Sequence, residues 1–501
     1  MPGTAPLNGS APRHSAPRHS APRHSAPRHS APRHTAVVDL GFGDAGKGTV
    51  VAHLCQAAAD RGNAAGGGFG AVVRFNGGAQ AAHNVVTDDG RHHTFAQFGS
   101  GSFTRGVETH LSRLMLVDPL ALTAEADHLE ALGVPDPFGR LTVDREALLT
   151  TPYHAAANRL REQARGAGRH GSCGMGIGET AAYALAHPET APRAGDCDAP
   201  ERLRARLRAL HDRLTDELGP LPDVPPVDAC AAVYQAFGAA VRLVDRAYGA
   251  RLLRTTRVVF EGAQGVLLDE WHGFHPYTTW STTTFAHAEA LLAEAGPAGD
   301  VLRLGVVRTY TTRHGPGPLP TEDTAATAAL PDTHNGTGRW QGAFRVGHFD
   351  AVAHRYAVDV CGGVDAVALT HLDAPLRHPD LRICRSYAID GRQVSRLPVG
   401  EPGDLDRQAE LTARLLRASA SVEQVLSVPS GPPVAPVAPG ERGTPSASNT
   451  RGTAAAWSAA VADALGAPVV LHSYGPRTGD KQANATAVPS PADRAADTPA
   501  R

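Results

Sequence analysis

The sequence predicts an α/β fold in which a large, mostly parallel central sheet is flanked by helices. Short apolar runs typical of buried strands alternate with longer helical stretches along the chain. The first run leads through a glycine-rich loop directly into a helix, which is the arrangement of a P-loop-like phosphate-binding unit. Of the 501 residues, 42% are hydrophobic, which is enough for an extensive core. We therefore expect a single α/β domain over residues 36–484.

The individual elements follow from this pattern in chain order. The run TAVVDL begins the first strand, and Val50, Val51 and Leu54 share one face of the helix that follows the glycine loop. Five further strands and two long helices are predicted: strands within 71–76, 257–262, 302–310, 365–372 and 467–475, and helices over 201–218 and 228–250.

Three stretches are expected to lie outside this domain. Residues 1–35 contain five tandem pentapeptides, APRHS four times and then APRHT, whose regular prolines predict a disordered arm. Pro, Gly and Ser enrich a predicted insertion at about 429–449, and residues 485–501 form a predicted disordered tail. Because the arm is basic and contains five histidines, it could contact nucleic acid or bind metal weakly. The alternative hypothesis is that the repeat is an unselected expansion without a function. Those histidines are His14, His19, His24, His29 and His34.

Composition excludes several classes of protein. The chain has no run of about 18 apolar residues, so no membrane span is expected. Its six cysteines form no CxxC pair, and the N-terminus lacks an apolar signal region. The net charge of −2 combines the basic arm with a more acidic remainder, which makes nucleic acid an unexpected partner of the domain. We expect a cytoplasmic protein.

The glycine loop GFGDAGKGT (41–49) carries the first chemical signal. It contains GxxxxGK but has Gly48 where a P-loop places Ser or Thr. Its amides and the helix N-terminus can cradle phosphates, and Lys47 adds a compact positive charge. Only Lys47 and Lys481 are lysines among the 48 cationic residues. Because the magnesium-binding hydroxyl is missing, Asp44 is the candidate metal ligand, or a base facing the phosphoryl group; a plain strand–helix turn is the alternative.

Later segments indicate a guanine nucleotide. A glycine cluster, 74–84, ends in His83, and the polar stretch 260–284 suits either a pocket-lining loop or a surface turn. Asp373 follows an apolar strand and can accept hydrogen bonds from the ring NH and exocyclic amine of guanine, whereas adenine lacks that pair of donors. The segment SYGPRTGDK (473–481) can close over the base. Together with the glycine loop, these features favour GTP over ATP.

Five long segments match one family in order: LGFGDAGKGT, VVRFNGGAQAAHNVV, FEGAQGVLLDEWHGFHPYTT, GVVRTYTTRHGPGPLPTE and ALTHLD, with SYGP closing the series. Over roughly residues 36–480 the chain resembles adenylosuccinate synthetase, which joins L-aspartate to IMP at the expense of GTP. The resemblance implies one large catalytic α/β domain, Mg²⁺ as cofactor, and a homodimer with active sites near the subunit interface.

The resemblance also implies roles for individual residues. Asp44 takes a proton from the ring nitrogen beside the substrate carbonyl and binds magnesium, with the carbonyl of Ala82 as a second ligand. His83 stabilises the oxyanion that attacks the γ-phosphate, Lys47 supports the developing phosphoryl charge, and Gln264 reads the purine. The residues implied for GTP and magnesium are Gly43, Asp44, Ala45, Gly46, Lys47, Gly48, Thr49, Ala82, His83, Asn84, His371, Asp373, Ser473, Gly475 and Pro476. The residues implied for the acceptor and aspartate are Gln80, Cys173, Gln264, Thr279, Thr337, Arg339 and Arg345.

The departures from the family pattern concentrate on the acceptor side. Cys173 replaces a phosphate-binding threonine and Met175 an arginine, and Glu189 stands where the family donates an arginine across the dimer. A carboxylate there would repel a phosphate. Gln80 replaces an asparagine near the same phosphate. The arginine-rich continuation of TGR is lost, which leaves Arg339 and Arg345 to hold a carboxylate.

Milder changes affect the nucleotide side, where Ala45 replaces an acid and His371 a guanine-stacking lysine. The leading hypothesis is therefore a GTP- and magnesium-dependent ligase that phosphorylates a carbonyl oxygen of a purine-nucleotide-like acceptor other than IMP and couples L-aspartate. Ordinary IMP ligation in purine biosynthesis is the first alternative. A catalytically idle GTP-binding regulator is the second, and the retention of Asp44 and His83 argues against it.

Overall fold

A ten-stranded sheet organises the protein in the computed structural model. The structure describes residues 33–61, 68–332, 335–338, 340–425 and 447–484, all of them within one compact unit. Its strands are β1 (His34–Asp39), β2 (Ala71–Arg74), β3 (His83–Val86), β4 (His92–Phe95), β5 (Glu108–Leu111), β6 (Leu116–Val117), β7 (Leu141–Asp144), β8 (Leu148–Leu149), β9 (Arg242–Val244), β10 (Val258–Gly265), β11 (Val301–Arg308), β12 (Tyr310–His314), β13 (Phe344–Asp350), β14 (Ala366–Thr370), β15 (Arg382–Ile389), β16 (Arg392–Val394), β17 (Ser419–Gln424), β18 (Val469–Ser473) and β19 (Lys481–Ala483).

The helices of the described residues vary from one turn to five. They are α1 (Lys47–Asp60), α2 (Pro119–Ala131), α3 (Pro152–Ala164), α4 (Ile177–Ala186), α5 (Pro200–Leu218), α6 (Val227–Ala240), α7 (Arg246–Thr255), α8 (Ala286–Ala295), α9 (Thr324–Ala329), α10 (Ala351–Val360), α11 (Ala374–Arg377), α12 (Leu405–Leu415) and α13 (Ala447–Leu465). None of these helices has the length and apolarity needed to cross a membrane.

The central sheet has the order β19-β18-β14-β11-β1-β10-β2-β5-β7-β9. All neighbours are parallel except β19, which runs antiparallel to β18 at one edge. This confirms the predicted fold class. Parallel pairing places the carboxyl ends of β1, β10, β11, β14 and β18 along one edge of the sheet, which is where α/β proteins bind ligands.

Buried apolar side chains alternate between the two faces of the central strands, which explains why helices cover both faces of this sheet. In β1, Ala36 and Val38 are buried in one apolar cluster while Val37 is buried in another. The same alternation occurs in β10, where Phe260 joins the first cluster and Val259 the second. A strand that is apolar on both sides must lie inside a parallel sheet between two layers of helices.

A smaller mixed sheet lies beside the first, with the order β12-β13-β15-β16 and with β17 also paired to β15. Only Thr309 separates β11 of the large sheet from β12 of the small one. The chain therefore passes from one sheet to the other at the edge where the strands of the large sheet end.

Two predicted boundaries change. The helix predicted over 228–250 is split, because Arg242–Val244 pairs as edge strand β9. Asp245 then caps α7 through the amide of Tyr248. The domain begins at His34 rather than at residue 36, since His34 is buried in β1 with Nε2 2.8 Å from the carbonyl oxygen of Ala298. His34 is therefore not available as a metal ligand of the arm.

Three predictions concern residues that the structure leaves largely undescribed. Arm residues 1–32, with their other four histidines, lie outside the described part of the chain, and so does the tail 485–501. The predicted insertion is also outside it, apart from residues 447–449, which begin α13.

Candidate functional site

A cavity of about 1010 Å³ opens at the carboxyl edge of the large sheet. It is lined by the loop after β1, the start of β3, the end of β10, and the segments that follow β11, β14 and β18. Nineteen predicted residues line it: Gly43, Asp44, Gly46, Lys47, Gly48, Thr49, Gln80, Ala82, His83, Asn84, Cys173, Gln264, Thr279, Thr337, His371, Asp373, Ser473, Gly475 and Pro476. Motifs far apart in the chain thus form one site.

Three predicted residues are not brought to the described lining. Ala45 is buried beneath the loop, and its amide donates to Asp39 rather than to a ligand. Arg345 pairs instead with Glu322, 2.6 Å away, and donates through Nη2 to the carbonyl oxygen of Gly317 at 2.8 Å. Arg339 lies outside the described residues. Of the two arginines expected to hold the carboxylate of aspartate, Arg345 is thus already engaged elsewhere.

Asp39, at the end of β1, holds the glycine loop in shape. Its carboxylate accepts from the amides of Gly41 at 2.7 Å and Ala45 at 2.8 Å, and from Lys47 Nζ at 3.2 Å. Helix α1 then begins at Lys47, preceded by Gly46 with φ 93° and without a capping side chain or an acidic first turn. The first amides of α1 have no partner within the helix and can receive phosphate oxygens. Sequence reasoning missed Asp39, whose signal was a lone acid ending a buried strand.

Close packing explains why Gly48 replaces the usual Ser or Thr. A Cβ at this position would lie 2.6 Å from the Cβ of His83, closer than real atoms approach. The absence of a side chain therefore allows β3 to press against the start of α1. As a result His83 lies beside the amides that are expected to hold the γ-phosphate.

His83 forms a buried pair with Glu261 of β10. The distance from His83 Nδ1 to Glu261 Oε1 is 2.6 Å, and Ser100 donates to the same carboxylate through its amide at 2.9 Å and its hydroxyl at 2.5 Å. Burial acts to raise the pKa of Glu261, but the hydrogen bond and charge of His83, with Arg74, lower it to about 2. Burial lowers the pKa of His83, and Glu261 opposes this shift.

The pair fixes both the tautomer and the orientation of His83. A neutral imidazole with its proton on Nδ1 would donate to the Glu261 carboxylate, which leaves Nε2 available to the cavity. An anionic reactant beside Nε2 would raise the pKa of His83 and favour the doubly protonated ring, which is a donor from both nitrogens. His83 can thus stabilise a developing negative charge. Sequence reasoning identified His83 but not Glu261, which is 178 residues away.

Asp44 keeps its carboxylate accessible. Its backbone is left-handed, with φ 59°, and its carbonyl oxygen accepts from Arg308 Nε at 2.5 Å. The side chain is 24% exposed, and Oδ2 lies 3.4 Å from His314 Nε2. Neither Arg308 nor His314 was predicted, although both line the cavity. The backbone of Asp44 is therefore anchored, while its partly exposed carboxylate, beside His314, can bind a cation or take a proton.

These residues fit magnesium. Mg²⁺ is usually held by one or two carboxylates together with substrate phosphates and water, rather than by a dedicated protein cage. Asp44 supplies one carboxylate at the cavity, and the exposed Ala82 lies at the same lining with a backbone carbonyl. Within the described part of the chain, no group of three or more His, Cys, Asp or Glu could hold a metal ion alone. The cation is thus expected to bind with the nucleotide.

At the end of the cavity that is predicted to bind the base, Lys481 holds the loop that is expected to close over the base. Lys481 is buried, and its Nζ donates to the carbonyl oxygens of Gly475 at 2.9 Å and Arg477 at 2.6 Å. Thr49 of α1 donates to the carbonyl oxygen of Pro476 at 3.1 Å, so the loop is tied to the phosphate-binding helix as well. Burial lowers the pKa of Lys481 to about 8. Its role is to position the loop.

Two further residues frame the predicted base pocket. Asp373 lines the cavity and pairs with Arg377, with Oδ2 2.7 Å from Nη2. His371, just after β14, has a left-handed backbone with φ 57°, and its carbonyl oxygen accepts from Thr309 at 2.8 Å. Asp373 is 34% exposed, so its carboxylate can still face a ligand.

The opposite end of the cavity is formed by α3, α4 and the loop between them. Besides Cys173, whose pKa is raised by burial, it includes Glu162 and Glu179, which sequence reasoning missed. Gln80 and Ile177 of α4 both line the cavity, and a Cβ added at Gly78 would lie 3.2 Å from Gln80 Oε1 and 2.7 Å from Ile177 Cδ1. Neither amide atom of Gln80 has a partner among the described residues, and such an orphan costs about 1–3 kcal/mol until a ligand supplies one.

Glu189, expected to reach a substrate phosphate across the dimer, is exposed in the turn after α4 and does not belong to the described lining of the cavity in its own chain.

Comparison with known proteins gives consistent results. Residues 36–415 match the family model described as adenylosuccinate synthetase. The chain is similar to adenylosuccinate synthetase of Neisseria meningitidis serogroup C, with 34% identity over 376 residues, 73% of this chain and 82% of the relative. It is similar also to that of Synechococcus elongatus, with 33% identity over 377 residues, 72% of this chain and 79% of the relative.

Two solved structures share the fold. Fully ligated adenylosuccinate synthetase from Plasmodium falciparum has a TM-score of 0.71 and 20% identity, covering 90% of this chain and all of that one. Succinoaminodeoxyadenylate synthetase of cyanophage S-2L, bound to dGMP and to dATP as energy donor, has a TM-score of 0.53 and 19% identity, covering 90% and 94%.

Proposed function

Because this chain belongs to the adenylosuccinate synthetase family of GTP-dependent ligases that form a C–N bond, we propose that it couples L-aspartate to a purine-like acceptor other than IMP. The observation that carries the proposal is the contrast within one cavity. The residues proposed for GTP transfer lie close together, with His83 of the His83–Glu261 pair packed against Gly48, whereas the end proposed for the acceptor is lined by Glu162 and Glu179.

In the first step the acceptor's carbonyl oxygen attacks the γ-phosphorus of GTP, and the bond from that phosphorus to the GDP oxygen breaks. Asp44 takes the proton of the neighbouring ring nitrogen, which drives electron density onto the carbonyl oxygen. His83 donates to that oxygen as its charge grows, and Lys47 with the first amides of α1 holds the phosphoryl oxygens. Asp44 and the Ala82 carbonyl would hold Mg²⁺ together with the nucleotide, and the ion would supply positive charge to the phosphates.

In the second step the amine of aspartate attacks the phosphorylated carbon. The C–O bond breaks, inorganic phosphate leaves, and the amine loses a proton to solvent, so the sum is one C–N bond formed for one GTP converted to GDP and phosphate. Thr337 lines the cavity and is a candidate contact of the aspartate carboxylates. We also propose a homodimer with active sites near its interface.

Ordinary ligation of IMP is a second candidate, favoured by the 34% identity to adenylosuccinate synthetases. Variation of the acceptor within the fold is supported by the cyanophage S-2L enzyme, whose structure contains dGMP. An idle GTP-binding regulator explains the site less well, since mere nucleotide binding does not require a buried carboxylate that orients His83.

The test is to incubate the full chain with GTP, Mg²⁺, L-aspartate and candidate acceptors, measuring phosphate release and product mass. We expect a product whose mass equals acceptor plus aspartate minus water. Efficient formation of adenylosuccinate from IMP would contradict the altered acceptor. Binding of GTP without turnover of any purine acceptor would contradict the enzyme.

Variants test the two catalytic roles. Asp44→Asn and His83→Asn should each abolish turnover but retain GTP binding, and residual activity in either would refute the assigned role. Asp223→Asn is a matched control, because Asp223 has a similar left-handed backbone, φ 54° against 59°, yet is exposed outside the cavity lining.

A further inference from the structure

Two helix N-termini face the same cavity, and they differ in charge. The first turn of α1 contains Lys47, Gly48 and Thr49 and no acid, whereas the first turn of α4 contains Glu179, which lines the cavity. We infer that the acceptor carries no phosphate at the end that lies against α4, and that this end bears uncharged hydroxyl groups, as in a purine nucleoside. The inference rests on the proposed function, whose acceptor it specifies.

The carboxylate of Glu179 supplies, at the N-terminus of α4, the negative charge that a phosphate would otherwise supply there. The free amides at a helix N-terminus favour an anion, and an acidic side chain in the first turn supplies that charge from within the protein. The Glu179 side chain is 14% exposed, so it is largely withdrawn from water that would screen its field. A phosphate dianion brought to this end would meet a carboxylate of the same sign.

The two arginines that line this end are already paired with carboxylates. Arg161 lies between two carboxylates, with Nε 3.1 Å from Glu179 and Nη2 2.9 Å from Glu217. Arg165 pairs with Glu162, whose second carboxylate oxygen accepts from the amide of Gly171 at 3.2 Å. Two arginines thus face three glutamates, and binding a phosphate through either arginine would require breaking an existing ion pair.

The positively charged form of His170 is disfavoured by its surroundings. It lines this end of the cavity, and burial lowers its pKa, with Arg165 acting in the same direction. Among the described arginines that line this end, none is therefore uncommitted; Arg159, which acts on Cys173, does not belong to the lining, and its Nε donates to the carbonyl oxygen of Gly174 at 3.0 Å.

Neutral groups at this end instead suit a hydroxyl. The Gln80 amide offers a buried donor and a buried acceptor, both without a partner among the described residues. A hydroxyl group both donates and accepts, so one sugar hydroxyl, or two neighbouring ones, can satisfy this amide. Ser172 already accepts from Asn158 at 2.9 Å, and it lines the cavity beside Cys173 as another uncharged contact.

The test compares inosine with inosine 5′-monophosphate, which differ only in the phosphate. Calorimetric titration of each into the full chain with GDP and Mg²⁺ should show inosine binding at least about tenfold more tightly. Tighter binding of the monophosphate would overturn the inference, and so would the failure of both to bind. Turnover with GTP and aspartate is measured in parallel. If inosine binds more tightly but neither inosine nor any other purine acceptor is converted, the inference stands and the proposed function fails.

A pair of variants locates the cause. Glu179→Gln should raise the affinity for the monophosphate about tenfold and leave that for inosine unchanged. Glu217→Gln is the matched control, because Glu217 pairs with the same arginine but does not belong to the described lining, so both affinities should stay as in the wild type. If Glu217→Gln increases monophosphate binding and Glu179→Gln does not, Glu179 is not the determinant and the inference is overturned.

Discussion

The two ends of the cavity use the same structural element in opposite ways. At the predicted GTP end, a helix begins after Gly46 with no acid in its first turn, so its amides are open to an anion. At the acceptor end, α4 begins after Gly176 in a similar left-handed conformation, but Glu179 follows in its first turn. One residue in the first turn therefore decides whether a helix N-terminus attracts a phosphate or excludes it.

The ends differ also in how far their polar groups are satisfied before any ligand binds. Asp39 accepts three hydrogen bonds within the glycine loop, and Lys481 donates to two carbonyl oxygens of the closing loop. Gln80 at the acceptor end has no such partners among the described residues. The GTP end is thus preorganised by the protein, whereas the acceptor end depends on its ligand to complete it.

The strongest disruption of this contrast is expected from Gly48→Ala. The added methyl would lie 2.6 Å from the Cβ of His83, so α1 and β3 must separate. A displacement of about 1 Å between reacting groups costs about 100-fold in rate, and we expect a loss of turnover of that size. Steady-state kinetics measures it, with thermal unfolding to verify the fold.

Gly452→Ala is the control for this substitution. Gly452 is exposed on α13, and a Cβ added there would meet nothing within 4 Å, so activity should be unchanged. Near-normal turnover of Gly48→Ala would show that the loop and His83 need not touch, and would remove the packing explanation for the glycine.

The next largest effect is expected from Glu261→Gln. The carboxylate raises the pKa of His83 against the effect of burial, so its loss leaves the imidazole harder to protonate. We expect kcat to fall about 30-fold, the range of lost orienting partners, with GTP affinity retained. If protonated His83 is the active form, activity decreases as pH rises through its pKa, and this limb should shift to lower pH in the variant. An unchanged pH profile would argue that Glu261 only packs.

Ser100→Ala gives a graded comparison, because it removes a single hydroxyl donor from the same carboxylate. Its effect on kcat should be smaller than that of Glu261→Gln and in the same direction.

The sequence predicted a functional residue when the groups that position it lie nearby in the chain, and missed it when they lie far away. Asp44 and Lys47 share one loop with the strand and helix that position them, so their roles were visible in a short motif. Glu261 acts through His83, 178 positions away in the chain, so no short motif contains both residues. Asp39 acts through hydrogen bonds, such as that from the Ala45 amide, which form only when the loop folds back, so it had no local motif either. Buried parallel strands such as β14 were predicted by apolar runs, whereas β9, short and partly exposed, was absorbed into a predicted helix.

The acceptor end was the least predictable part. Cys173 and Gln80 could be recognised as departures from a family pattern, but their surroundings could not. Glu179 reaches the cavity because α4 points its first turn there, and only the fold reveals that orientation. Arg345 is the opposite case: the sequence suggested that it holds the carboxylate of aspartate, but in the structure its guanidinium pairs with Glu322.

A moderate effect is expected at the predicted GTP end from Lys481→Met. Loss of two hydrogen bonds to the closing loop should raise the KM for GTP about tenfold and change kcat little, because Lys481 touches the loop and not the reacting atoms. In the wild type the KM for GTP should rise as pH increases through about 8, where Lys481 loses its proton. The variant should lack this rise. Gln482→Ala, an exposed neighbour on β19, should behave as wild type in both respects.

The smallest effect is expected from Arg345→Gln, which tests whether Arg345 belongs to the predicted aspartate site. Arg345 pairs with Glu322 and a backbone carbonyl and does not belong to the described lining, so the KM for aspartate should change about twofold or less. Glu322→Gln frees the same guanidinium without removing it. If Arg345→Gln raises the KM for aspartate tenfold and Glu322→Gln lowers it, the arginine must leave its carboxylate during turnover, and aspartate binding would be coupled to opening that ion pair.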